Sequence, residues 1–220
     1  MGIRSINEPV HRFSTIEIRD ILISTVVLTV AFVLILRDSD FVTAWFRDSL
    51  GESWFVGMFG MMFVITILSF VGHEMGHKFT AQRFGMWSEY RMYPAGLFFA
   101  LIMGFVGFLF AAPGAVMIRS NYITERENGI ISIAGPMVNM VLSAVGILGC
   151  LALNGEPVVV VFYLMMMLNG SLALFNMIPI MPFDGAKIIK WKPEIWGACI
   201  AIAALEFFAV WILPTLSYTL

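Results

Sequence analysis

His73, Glu74 and His77 are the residues of this 220-residue chain best placed, by type and spacing, to do chemistry. They stand in the run His73-Glu74-Met75-Gly76-His77, an H-E-x-x-H pattern. On a helix, positions i and i+4 share one face, so both imidazoles reach a single metal ion. Glu74 falls about 100° round the helix from His73, free to act as a base and not as a third ligand. Gly76, between the histidines, lets a neighbouring helix approach the metal face closely. The run begins where the uncharged segment 56–72 ends, a stretch that with the motif's own turns is long enough to cross a bilayer. Ionisable groups at that depth are costly unless paired or used. The chain has three histidines, and the motif takes two of them. A short pattern with two free positions also arises by chance, and a histidine in an apolar helix can simply bond a neighbour, so the metal reading depends on a third ligand.

Zinc in a hydrolytic site usually takes three protein ligands and leaves one position for water. Asp184 is the best candidate for the third. Pro179 and Pro182 each remove a backbone donor and obstruct a helix, so residues 176–185 are expected to be irregular at membrane depth. Such backbone is tolerated only where it is buried in protein or lines a wet cavity. It can deliver a carboxylate, with Gly185 relaxing the turn. Two alternatives stand beside this: Asp184 as the cap of the following helix, and Glu206, midway along the last apolar segment, as the ligand instead. Gly135 and Asn139 have the spacing of a helix-packing seam with one interhelical hydrogen bond as much as that of a catalytic feature. Asn169 reads as an interhelical hydrogen-bonding residue.

The elements that must position these groups are apolar. Sixty per cent of the residues are hydrophobic and 13% charged, against about 25% charged in soluble domains, so the chain is an all-α polytopic membrane protein. A net charge of −2 without a basic cluster argues against a nucleic-acid partner. The sixteen methionines read as pliable core filling. Cys150 and Cys199 lie far apart in apolar segments and are expected to be buried free thiols. Residues 1–20, with His11 as a surface histidine, form a polar cytoplasmic or interfacial lead-in, and no cleavable signal peptide is expected. Residues 21–54 hold a first transmembrane helix (21–36) and an external loop, partly an interfacial helix. A catalytic membrane core covers 55–192, with helices near 55–84, 129–153 and 158–175, and 193–220 carries the last span. Residues 97–112 are apolar but short and interrupted by Gly104 and Gly107, which predicts re-entry and not a crossing. The expectation is therefore about five transmembrane helices plus a strand-like or re-entrant hairpin at 86–118, between the metal helix and the next span. Lysines and arginines then fall mainly on one side, which puts the N-terminus and the metal site towards the cytoplasm.

Three motifs in one order, H-E-M-G-H at 73–77, G-P-M-V-N at 135–139 and N-M-I-P-I-M-P-F-D-G at 176–185, make the stretch from about 55 to 190 resemble the site-2 protease family of intramembrane zinc metalloproteases. The form is compact, without a PDZ insertion or a nucleotide-binding module. The resemblance implies one zinc ion on His73, His77 and Asp184, and Glu74 as the catalytic base. It implies that Asn176 contacts the substrate strand and that the hairpin at 86–118 aligns it; Gly114, Ala115, Val116 and Asn139 are further expected among the substrate-binding residues. Residues 97–112 are more apolar than that region usually is in the family. The expected function is hydrolysis of transmembrane segments near the cytoplasmic side by metal-activated water, with a transmembrane protein as substrate and the lipid bilayer as surroundings. The alternative is a membrane metal or proton transporter that uses the His/Asp cluster as a transit site.

Overall fold

A computed structural model describes residues 13–37, 39–108, 112–153 and 158–217. His11 and the turn at 154–157 lie outside the described residues. Helix α1 (Thr15–Leu36) is capped by Ser14, whose hydroxyl accepts the Glu17 amide. Helix α2 (Asp40–Leu50) is capped by Ser39. Helix α3 (Trp54–Thr66) runs through a wider π-helical turn, Ile67–Val71, into α4 (Gly72–Arg83), which carries the histidines. Strand β1 (Trp87–Met92), helix α5 (Pro94–Val106) and strand β2 (Gly114–Arg119) follow. Helix α6 (Glu125–Ala152) opens with a capping box between Thr124 and Glu127. Helices α7 (Val159–Asn176), α8 (Gly185–Trp191) and α9 (Pro193–Ser217) complete the chain.

Among the described residues, five helical stretches are long and apolar enough to cross a membrane: Thr15–Leu36, Val42–Arg83, Glu125–Ala152, Val159–Asn176 and Pro193–Ile212. The protein is a multi-pass membrane protein, and its described residues are mostly helical with one small antiparallel sheet. Large apolar side chains such as Val56, Phe98, Leu148, Leu205 and Trp211 point outward, as lipid-facing positions require. Between the helices, Leu28, Phe32, Met58, Met62, Leu164 and Leu168 form the larger core, and Met140, Ala173, Met177 and Ala203 a second one under α9. Cys150 and Cys199 are free thiols, Cys199 buried and Cys150 half-buried.

The two strands pair in register from Trp87↔Arg119 to Met92↔Gly114. Helix α5 sits within this hairpin. At 1.5 Å per residue its 13 residues reach only about 20 Å, short of the roughly 30 Å hydrocarbon core. It packs on α1 through Gly104, where a Cβ would lie 2.8 Å from the Ala31 carbonyl oxygen.

Helix α1 begins at Thr15, earlier than the apolar run suggests, and the end of the polar lead-in is not solvated. Glu17 is fully buried and Asp20 nearly so. Glu17 holds the fully buried Lys78 ammonium of α4 at 2.5 and 2.6 Å and accepts the Tyr90 amide of β1 at 2.9 Å. These partners lie 61 and 73 residues away in sequence, so local polarity could not reveal them. Removing one member of such a pair strands the other charge, a loss of about 3–5 kcal/mol. The hairpin is thereby fastened to the metal helix.

Candidate metal centre

Helix α4 presents His73 and His77 one turn apart towards α6. Two glycines make the approach possible. A Cβ on Gly76 would stand 2.7 Å from the Ala134 carbonyl oxygen, and one on Gly135 would collide with the Nε2 atoms of both histidines. Gly135 therefore leaves room for the imidazoles, and Gly76 admits α6, as its position between the histidines suggests.

The imidazoles are oriented from behind. His73 Nδ1–H donates to Asn139 Oδ1 at 2.6 Å, and His77 Nδ1–H donates to the Ile131 carbonyl at 2.7 Å. Asn139 spends its amide hydrogens on the Ser69 carbonyl (3.0 Å) and Asn169 Oδ1 (2.9 Å), which fixes its oxygen towards His73. Asn169 in turn donates to Ser69 Oγ at 2.9 Å. With both Nδ1 atoms protonated, the two Nε2 lone pairs face inward only 3.0 Å apart. Two lone pairs so close repel unless a cation lies between them.

Asp184 supplies the third donor. Its Oδ2 lies 3.5 Å from His73 Nε2 and 3.1 Å from His77 Nε2, and its Oδ1 meets Lys187 Nζ at 3.2 Å. The three separations bracket the ~3.3 Å edge of a tetrahedron with zinc–ligand bonds of about 2.0–2.1 Å. The Lys187 ammonium beside it favours the ionised carboxylate, so the donor is an anion. His73, His77 and Asp184 thus form a buried cluster that can bind one metal ion, and a two-nitrogen, one-carboxylate set suits zinc.

Asp184 is delivered by the irregular segment expected from the prolines: residues 177–184 form neither helix nor strand. It makes no side-chain cap bond to α8, which sets aside the capping alternative. Gly185 has no left-handed backbone. It is needed because a Cβ there would strike the Met177 carbonyl, so close approach and not a relaxed turn is its reason. Glu206 sits beside Ser143 of α6, outside the cluster.

Glu74 is buried against the cluster, and its Oε2 meets no hydrogen-bond partner among the described residues. Two cavities flank it. One, of about 160 Å³, is apolar, lined by Leu28, Phe32, Phe70, Leu172, Phe175 and Phe183. The other, of about 120 Å³, is lined by Asn128, Ser132, Asp184 and Lys187. His73, Glu74, Gly114, Ala115 and Asn176 border both, whereas Val116 borders the polar one. Four of the five residues expected to face substrate therefore stand at the metal centre. Asn139 does not. It is fully buried behind His73 with its amide in use, so it positions a ligand and is not open to substrate.

Two contributors escaped sequence reasoning. The Ile131 carbonyl has no side-chain signal at all. The π-helical turn just before the histidines, which brings the Ser69 carbonyl to Asn139, carries no proline to announce it. Replacing Asn139 with Ala frees the His73 ring and leaves the buried Asn169 Oδ1 without its donor. Zinc affinity is expected to fall about 10–100-fold, read by competition with a chelator.

Fold and site together define a multi-pass membrane protein with a buried His/His/Asp metal centre. MJ0611 of Methanocaldococcus jannaschii, provisionally named a zinc metalloprotease, is 35% identical over 196 residues, which cover 86% of this chain and 91% of that protein. Rip2 of Mycolicibacterium smegmatis, also provisionally named a zinc metalloprotease, is 32% identical over 193 residues, covering 74% and 73%. A zinc metalloprotease of M. jannaschii, MJ0392, is 28% identical over 134 residues, covering 59% and 33%. No family model and no solved structure matches the chain. The chain belongs to the family of zinc metalloproteases that these relatives represent.

Proposed function

We propose that this protein is an intramembrane zinc endopeptidase that hydrolyses peptide bonds within the transmembrane segments of other proteins. One observation carries the reading: an unpartnered buried carboxylate oxygen on Glu74, beside a His/His/Asp cluster, at the meeting of an apolar and a polar cavity. Zinc, when bound, supplies Lewis-acid polarisation of the scissile carbonyl and acidification of a water molecule. Glu74 takes the proton from the attacking water and returns it to the leaving amine. The polar cavity, with Lys187, Ser132 and Asn128, gives water a route that the apolar helices deny elsewhere.

The substrate must arrive unwound, because a helix hides its carbonyls in its own hydrogen bonds. Strand β2 offers the freed backbone a partner. Only its β1 side is paired in the two-stranded sheet, and its other edge borders Glu74 through Gly114, Ala115 and Val116. Strand addition there satisfies the exposed amides and carbonyls. Asn176 donates one amide hydrogen to the Leu172 carbonyl at 2.9 Å, which leaves the other for the substrate backbone. The positive residues near the metal helix and after Asp184 support an active site on the cytoplasmic side with a cytoplasmic N-terminus.

Cleavage is therefore expected to depend on helix weakness in the substrate. Each Gly-to-Leu exchange favours a helix by roughly 0.8 kcal/mol, so two near the cut raise the unwinding cost enough to slow cleavage about tenfold. The measurement is cleavage of a transmembrane test substrate and its stiffened variant by zinc-loaded protein in liposomes. Unchanged rates would remove unwinding from the reaction. The transporter reading predicts metal flux across the same liposomes without peptide products.

A further inference from the structure

Strand β1 has two edges, and helix α1 closes the one that β2 does not. The Tyr90 amide donates to Glu17 Oε1 at 2.9 Å, and the Met92 amide, two residues on, to Asp20 Oδ2 at 3.3 Å. Glu17 and Asp20 are three apart, on one face of α1, and match the two-residue step of the strand. They take the place of a third strand. Since the Tyr90 amide points away from β2, the facing pair Tyr90↔Val116 is of the kind that exchanges no backbone bonds. The Val116 amide then points outward on the opposite edge, where it lies against the Glu74 carboxyl. One register thus sets an α1 acid at one side of the sheet and Glu74 at the other.

The same acid is tied to the metal helix. Lys78, which pairs with Glu17, is the residue after the ligand His77. Its carbonyl accepts Ser88 Oγ of β1 at 3.1 Å, and Phe13 lies over its ammonium at 4.2 Å. Tyr90 Oη meets Ser24 Oγ of α1 at 2.9 Å. The hairpin is therefore held against α1 and α4 by side chains that line neither cavity at the metal centre.

Resting on the protease reading above, we infer that Glu17, supported by Asp20 and anchored by Lys78, is a positioning residue that sets the height of the hairpin relative to the metal ligands. It thereby decides which peptide bond of an added substrate strand meets Glu74. Strand residues repeat every 3.2–3.4 Å, so a small slip of the hairpin presents a different bond.

The test uses full-length, zinc-loaded protein in liposomes. Glu17→Leu alone strands the Lys78 charge and can fail to fold, so it is made together with Lys78→Met. The control is Glu17→Gln with Lys78→Met, in which an amide oxygen still accepts the Tyr90 amide. Cut positions are mapped by mass spectrometry, zinc is counted per chain, and amide exchange is followed over residues 87–92. In the Leu/Met variant we expect wild-type zinc, exchange at 87–92 faster by tenfold or more, and cuts at additional bonds. The Gln/Met variant keeps the single wild-type cut position. Asp20→Ala, which removes the pairing with Arg19 but keeps the Glu17–Lys78 pair, loosens Met92 and adds minor cuts even if the double variant does not fold. A general loss of structure would lower the yield of product without moving the cut. Unchanged 87–92 exchange, or a single wild-type cut in zinc-loaded Leu/Met or Asp20→Ala protein, would overturn the inference. Absence of any cleavage by the wild type would sink the protease reading instead, and amide exchange alone would then decide whether the α1 acids hold the hairpin.

Discussion

Glu74→Gln is expected to lower cleavage of a transmembrane substrate by about 10²–10⁴-fold while zinc stays bound at one ion per chain. The two halves of this outcome come from separate features. Zinc retention follows because Glu74 is not among His73, His77 and Asp184, the cluster whose donor atoms converge. Loss of turnover follows because Gln has the shape of Glu but cannot take a proton from water. Its Oε2 is the buried carboxylate oxygen left without a partner beside the cluster, as a group reserved for a transferred proton requires. Parallel measurements of zinc content and product formation decide the matter. Full activity in the zinc-loaded variant would remove Glu74 from the reaction. Retained metal flux across liposomes, with no peptide product from the wild type, would favour the transporter alternative.

Asp184→Ala is expected to abolish both zinc retention and cleavage. Its effect should exceed the 10–100-fold loss typical of residues that only orient a ligand, such as Asn139. The reason lies in the spacing. Two imidazole lone pairs 3.0 Å apart need a cation, and Asp184 is the one anion of the cluster. Without it the site is a pair of neutral donors with the ammonium of Lys187 nearby, a poor setting for a divalent ion. Glu206→Gln serves as the comparison, since that carboxylate is outside the cluster, and zinc content there should match the wild type. Metal analysis after dialysis reads both variants. Full zinc occupancy in Asp184→Ala would mean that another group closes the site.

Much of the centre was legible because its signals are local. An i, i+4 histidine pair shares a face on any helix. Two prolines three residues apart, Pro179 and Pro182, obstruct a continuous helix, and a small residue between ligands marks a close approach. Hydropathy and length were enough to expect about five spans, and five described helical stretches are long and apolar enough to cross a membrane, with α5 shorter than these. The groups that escaped were those whose meaning depends on distant partners. Asn139 has the same identity whether it faces substrate or a histidine ring, and only the packing of α6 on α4 chose the ring. Glu17 and Asp20 carry the polarity of a solvated lead-in, yet they are buried because Lys78 and the edge of β1 meet them there.

The amino-acid sequence by itself determined the class of the protein and picked out the His73/His77 pair and Glu74 as its candidate base, since these rest on composition, residue type and short-range spacing, whereas the convergence of Asp184 on that pair needed the fold. Tertiary structure alone decided which groups orient those ligands and where the hairpin stands relative to them. Hydrogen bonds to buried carboxylates and to backbone carbonyls form between segments 54 to 73 residues apart, and residue order carries no record of which segments will meet.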